Sequence, residues 1–249
     1  MSLPRIAPYA MPYAASLPRP RVSWVIEPRR AALLVHDMQA HWLGRFDRQA
    51  EPIPALLANV GALVGACRAA GVPVVYTMQP SGQTPAQRGL LGPVWGDGIP
   101  AGSGGDEFAP QVAPVPGDEI IVKRRYSALV GTDLLARLRA LGRDQLIVCG
   151  VYAHIGVVLT AAHAFTEDVR SVIVADAVAD FSEQDHVRAL EWAGGCCAGV
   201  CSTGTVLGAI GGSTPQPGVD LERMRADVLA ALDDPPATLG DDDDLLDLG

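Results

Sequence analysis

Several side chains with complementary acid–base properties stand where the chain turns from apolar to polar. They are Asp37 in His36-Asp37-Met38-Gln39, Gln79 in Met78-Gln79-Pro80, Lys123 in Lys123-Arg124-Arg125-Tyr126, and Tyr152 in Gly150-Val151-Tyr152-Ala153-His154-Ile155-Gly156. A carboxylate that exchanges a proton, beside an ammonium that controls its charge, is the minimum equipment for general acid–base catalysis. Lys123 is set apart by composition: of 19 basic residues 18 are arginine, and it is the single lysine. Each residue alone has a plainer reading. Asp37 could cap a helix, Lys123 could be a surface charge, and Tyr152 could pack with its hydroxyl on a carbonyl. Their recurrence at successive strand ends favours a shared site. His36 and His154 flank that site in sequence, and their positions suit structural hydrogen bonding.

The elements that must position these groups can be read from the apolar pattern. Short buried-strand candidates fall at residues 31–36, 72–77, 119–123, 145–150, 171–177 and 198–203. Helical spacing follows at 53–70, in TDLLARLRALG to Gly142, at 155–168 and in SEQDHVRALEWAG. This alternation predicts an α/β protein: three α/β/α layers around a Rossmann-like, parallel, six-stranded sheet. Ligands of such sheets bind beyond the carboxyl ends of the strands, where the polar residues stand. Residues 1–30 read as a Pro-rich arm packed over the domain, and residues 79–117 as a long Gly-, Pro- and Gln-rich excursion, usually a functional feature. No GxGxxG or GxxxxGK[ST] loop follows a strand, which disfavours a nucleotide site.

Composition narrows the class. A chain of 249 residues, 49% hydrophobic, can bury a large core. No apolar run reaches the roughly 18–20 residues of a membrane span, and the N-terminus lacks a signal-peptide core. Five cysteines, three crowded at 196, 197 and 201, suit a reducing compartment, so a cytoplasmic protein is expected. The net charge is −9, of which residues 220–249 carry −8 (two arginines against ten acids). Neither part has the basic face that nucleic acid requires.

The stretches LLVHDMQ, KRRYSAL, CGVYAHIGVVLTAAHAF and VADAVADFS together resemble the isochorismatase family, in family order, over residues 5–210. The wider superfamily uses an Asp–Lys–Cys triad, which by motif falls on Asp37, Lys123 and Gly156. With glycine at the nucleophile's position an acyl-enzyme route is closed, and the resemblance implies that the glycine leaves room for a bulky ring. Cys149, inside a strand, is expected to be an inert apolar residue. The segment SGQTPAQRG lacks the Asp/His cluster of metal-bearing nicotinamidases, so no metal or cofactor is expected.

The activity implied is hydrolysis of the enolpyruvyl vinyl ether of isochorismate to pyruvate and 2,3-dihydro-2,3-dihydroxybenzoate. Asp37 would be the general acid and Lys123 its positioning partner. Gln79 and Arg88 would hold the enolpyruvyl carboxylate, while Tyr152 and Gly156 shape the ring pocket. A protonated Asp37 needs a raised pKa, which Lys123 opposes; the two carboxylates of the substrate, occupying Lys123 and Arg88, would reconcile the conflict. Two departures bear on substrate preference: Arg124 replaces the usual Trp after the lysine, and Trp95-Gly96-Asp97-Gly98 replaces Trp-Gly-Pro-Gly. The alternatives are the same hydrolysis of 2-amino-2-deoxyisochorismate, as in phenazine-type relatives, or a non-catalytic docking module. The family commonly forms homodimers.

Three segments are expected. Residues 1–210 form the isochorismatase domain with its arm, and GGSTPQPG (211–218) a linker. Residues 219–249 resemble the opening helix and loop of an aryl carrier protein, a partner within nonribosomal-peptide carrier machinery. In such carriers Leu-Leu-Asp-Leu-Gly leads into an Asp-Ser pair that takes phosphopantetheine. Here the chain stops at Gly249 and no serine follows Ser213, so a carrier cut short of its attachment site is expected.

Overall fold

The computed structural model describes residues 3–12 and 19–211. Its strands are β1 (Ala31–His36), β2 (Val74–Met78), β3 (Glu119–Val122), β4 (Gln145–Val151), β5 (Arg170–Ala179) and β6 (Ala198–Cys201). The helices are α1 (Ala40–Leu43), α2 (Ile53–Ala69), α3 (Pro85–Arg88), α4 (Leu91–Trp95), α5 (Leu134–Ala140), α6 (Val158–Thr166), α7 (Glu183–Cys196) and α8 (Thr203–Gly211). The strands form one six-stranded sheet in the order β3-β2-β1-β4-β5-β6, every neighbouring pair parallel. The chain leaves β1 towards one edge and β4 towards the other, so the crevice between their carboxyl ends is the switch point where such folds bind ligands.

Both faces of the sheet are covered, which is why β1 reads as an unbroken apolar run. Ala31, Leu33 and Val35 join Leu56, Val60 and Leu63 of α2 and Val206 and Ile210 of α8 in one core. Ala32 and Leu34 point the other way, to Leu138 of α5, Ala161 of α6 and Leu190 of α7. The arm completes the first of these layers. Leu3 and Ile6 are buried in it, Ile6 N–H donates to the Arg45 carbonyl, and Tyr9 N–H donates to that of Glu51.

The expected strands and main helices are present, with ends shifted by a few residues. The long excursion holds the short helices α3 and α4 and a 3₁₀ turn at Pro110–Val112. The helix expected from residue 155 begins as a wide π turn, Ala153–Val157, before α6. α8 was not expected. Its sequence, TGTVLGAIG, is poor in helix formers, and burial of Val206 and Ile210 against α2 overrides that propensity. α8 ends at Gly211, the first residue of the expected linker; residues 212–218 and the carrier-like 219–249 lie outside the described residues. Among the described residues no helix is long and apolar enough to cross a membrane.

Candidate active site

Asp37 follows β1 directly. Its φ of 50° lies in the left-handed region, which aspartate tolerates better than most residues. The neighbouring strand holds that conformation. His36 is paired in register with Thr77 of β2; Asp37 N–H donates to Thr77 Oγ1 (3.1 Å), and Thr77 O–H donates to Asp37 Oδ1 (2.7 Å). The other carboxylate oxygen faces the functional groups. Lys123 Nζ lies 2.8 Å from Oδ2, and Gln79 Nε2 donates to it at 3.3 Å.

Lys123 stands one residue past β3, and its N–H prolongs the ladder by donating to the Met78 carbonyl. Its ammonium is buried and donates to the carbonyls of Arg125 (3.0 Å) and Tyr126 (3.4 Å) besides the carboxylate. Its three protons therefore already have three acceptors, and the expectation that substrate occupies Lys123 meets a lysine without a spare donor. Lys123 acts on Asp37. Burial alone would push the Asp37 carboxyl up, but Lys123, the neighbouring His36 and the Thr77 hydroxyl together hold it below its usual value. The free protein carries Asp37 as a carboxylate.

Arg88, the last residue of α3, is also buried. It donates from Nε to the Gly96 carbonyl (3.1 Å) and from Nη1 to Gln79 Oε1 (3.2 Å). Among the described residues no carboxylate lies within ion-pairing distance of it, and burial pushes its pKa down. A desolvated guanidinium without a counter-ion is a binding site for an anion. Gln79 thus links the two ends of the site, giving its amide proton to Asp37 and its amide oxygen to Arg88.

Asp37, Lys123, Gln79, Arg88, Tyr152 and Gly156 all line one cavity that is partly open to solvent. Tyr152 presents its ring, since its hydroxyl donates to the Trp42 carbonyl (2.7 Å) and the ring packs on Phe181 and Phe46. Gly156 differs from expectation. A Cβ there would lie 2.7 Å from His36 Nε2 and 3.0 Å from Nδ1, with Cε1 nearer still. The room left by the glycine is filled by a protein imidazole. His154 is structural, as expected: its backbone N–H and its ring both bond buried Asp180.

Sequence reasoning missed several contributors. Thr77, the partner of Asp37, is one more β-branched residue in a strand and carries no signal of its own. Trp95, whose indole donates to Tyr126 O–H (2.6 Å), and Leu3 from the arm also wall the cavity. Gln39 was visible in the HDMQ stretch without a role. It is fully buried, donates to the carbonyls of Gln79 and Asp106, and accepts from Trp42 Nε1 and Gln79 N–H, which fixes the loop after β2.

None of the five cysteines lines the cavity. Cys149 is fully buried within β4 and its thiol is pushed far up by burial, while that of Cys67 is pushed up to about 12. Among the described residues no cluster of three or more His, Cys, Asp or Glu could hold a metal ion.

The class defined so far is a doubly wound α/β protein with a lysine-held aspartate at the carboxyl end of its first strand. The model of the isochorismatase domain matches residues 31–205, so the chain belongs to the isochorismatase family. It is 41% identical to the isochorismatase of Bacillus subtilis (all of this chain, 83% of that protein). It is 45% identical to phenazine biosynthesis protein PhzD1 of Pseudomonas aeruginosa (82% and 98%), and 36% to enterobactin synthase component B of Escherichia coli K12 (100% and 85%). A solved cysteine hydrolase from Pseudomonas syringae shares the fold, with a TM-score of 0.67 at 24% identity over 79% of this chain and 98% of its own.

Proposed function

We propose that this protein is an isochorismatase, hydrolysing the enolpyruvyl vinyl ether of isochorismate to pyruvate and 2,3-dihydro-2,3-dihydroxybenzoate. The observation that carries this reading is the pairing, within one cavity, of a buried aspartate held by lysine with a buried arginine that has no counter-ion among the described residues. A vinyl ether is cleaved by protonating its terminal carbon, which gives an oxocarbenium ion that water captures; the hemiketal then collapses. Asp37 supplies the proton and Arg88, with Gln79, holds the enolpyruvyl carboxylate. Asp37 is ionised in the free protein, and a dianionic substrate docking beside it disfavours a further negative charge. Binding thereby raises its pKa and loads the acid. Release of pyruvate from isochorismate tests the reading; no release, from folded protein, rejects it.

A second reading, 2-amino-2-deoxyisochorismate as substrate, draws on the 45% identity to the phenazine protein. The extent of the matches favours the first. The Bacillus and Escherichia relatives align with all of this chain, whereas the phenazine protein aligns with 82% of it. We also read residues 219–249 as the opening of an aryl carrier domain, placing the enzyme in siderophore assembly as a cytoplasmic homodimer. The Leu-Leu-Asp-Leu-Gly stretch at 245–249 supports the carrier assignment.

A further inference from the structure

His36 is the group in the cavity that the mechanism above leaves unused. Its Nδ1 lies 2.8 Å from the Val151 carbonyl, and a carbonyl only accepts, so Nδ1 carries the hydrogen. Burial pushes the imidazole pKa down to about 4, so the ring is neutral at pH 7 and Nε2 bears a lone pair. Nε2 is buried and has no hydrogen-bond partner among the described residues. The charged groups facing the ring are Asp37, whose Oδ2 is 3.8 Å from Nδ1, and Lys123; the Tyr126 carbonyl also faces it. The ring fills the volume that any side chain at 156 would need, and both residues line the cavity. An unsatisfied buried acceptor is costly to keep. This one sits beside the acid, in a pocket whose reaction consumes a water.

We propose that His36 Nε2 is the base that receives the proton of the attacking water. The proposal rests on the vinyl ether reading. Asp37 gives its proton to the terminal methylene carbon, which becomes the methyl group of pyruvate. Water oxygen bonds to the oxocarbenium carbon and one water proton passes to Nε2. The hemiketal then breaks its bond to the ring oxygen, which takes the proton from the imidazolium. The hemiketal hydroxyl returns its proton to Asp37 as the ketone forms. Both groups end as they began, and no other reactant is needed.

The test is His36→Asn, whose amide N–H can replace the Nδ1 donor to Val151 while nothing replaces Nε2. Turnover should fall on the order of 10²-fold or more. The decisive measurement is the substrate recovered from partial reaction in D₂O. With water capture impaired, the oxocarbenium ion returns its proton, and the variant should place deuterium in the vinyl methylene where the wild type places little. A rate near that of wild type would overturn the proposal. So would a slow variant whose recovered substrate is unlabelled, since that marks a merely structural histidine. Should His36→Asn fail to fold, His36→Gln is read in the same way. Wild-type protein that releases no pyruvate would instead reject the vinyl ether reading, so the two failures are distinct.

Discussion

Asp37 has a carboxylate that is stable as an anion at rest and must nevertheless act as an acid. Two predictions follow from that tension. Asp37→Asn keeps the shape and the bond to Thr77 but has no transferable proton, so turnover should fall by about 10²–10⁴-fold with binding still measurable. The pH dependence has a definite sign. Since Asp37 is held below its usual pKa in the free protein, the protonated fraction shrinks about tenfold for each pH unit through neutrality. kcat/KM should fall accordingly as pH rises, while kcat, which reports the complex, bends at a higher pH. His36, neutral above about pH 4, adds no inflection there. A kcat/KM profile that stays flat across neutral pH would contradict the loading of the acid by substrate. Arg88→Ala should act on binding: losing a charge-assisted bond worth about 1.5–3 kcal/mol raises KM on the order of 10- to 100-fold.

The elements explain why single side chains at this rim are hard to change independently. Lys123 is held by two carbonyls and pairs with a buried carboxylate, so Lys123→Ala leaves Asp37 uncompensated and should cost about 3–5 kcal/mol in denaturant unfolding as well as activity. Gly156→Ala drives a methyl group into the pinned imidazole of His36, an overpacking penalty of roughly 1–3 kcal/mol. Adding His36→Ala should relieve part of that penalty, a non-additive cycle; strict additivity would mean that the two residues do not share the space. How far the sequence exposes this arrangement depends on the kind of constraint. β1, β4 and β5 are legible because burial on both faces writes a continuous apolar run, and Asp37, Gln79, Lys123 and Tyr152 because they break such runs at one end. α8 is not legible, since its helix is made by contacts with α2 rather than by its glycine-rich composition. Nor is the packing of His36 against Gly156, because residues 120 positions apart meet only when β1 and β4 pair side by side.

At the scale of the whole molecule, the arm joins stability to the site. Ile6 is buried in the layer beneath α2 and α8, and Ile6→Ala should cost about 2–5 kcal/mol, read as a lowered Tm. Leu3, a few residues earlier, walls the cavity itself, so Leu3→Ala should also raise KM. Activity should survive thiol alkylation under native conditions and dialysis against chelators; rapid inactivation without unfolding would revive the cysteine or metal routes. These tests separate a pocket completed by a distant segment from one complete within the sheet.

The shared space at His36 and Gly156 also constrains the order in which the two positions can change. Suppose that an ancestor carried a thiol at position 156 and a smaller residue at position 36. Substituting the histidine first would force two side chains into one volume and damage the fold. Substituting the glycine first would leave only a void, which a ring could later fill. Under that ancestry, thiol chemistry is surrendered before the imidazole arrives, and the return journey must begin by removing the histidine. On that supposition the passage between the two chemistries would behave as a ratchet whose pawl is a single imidazole.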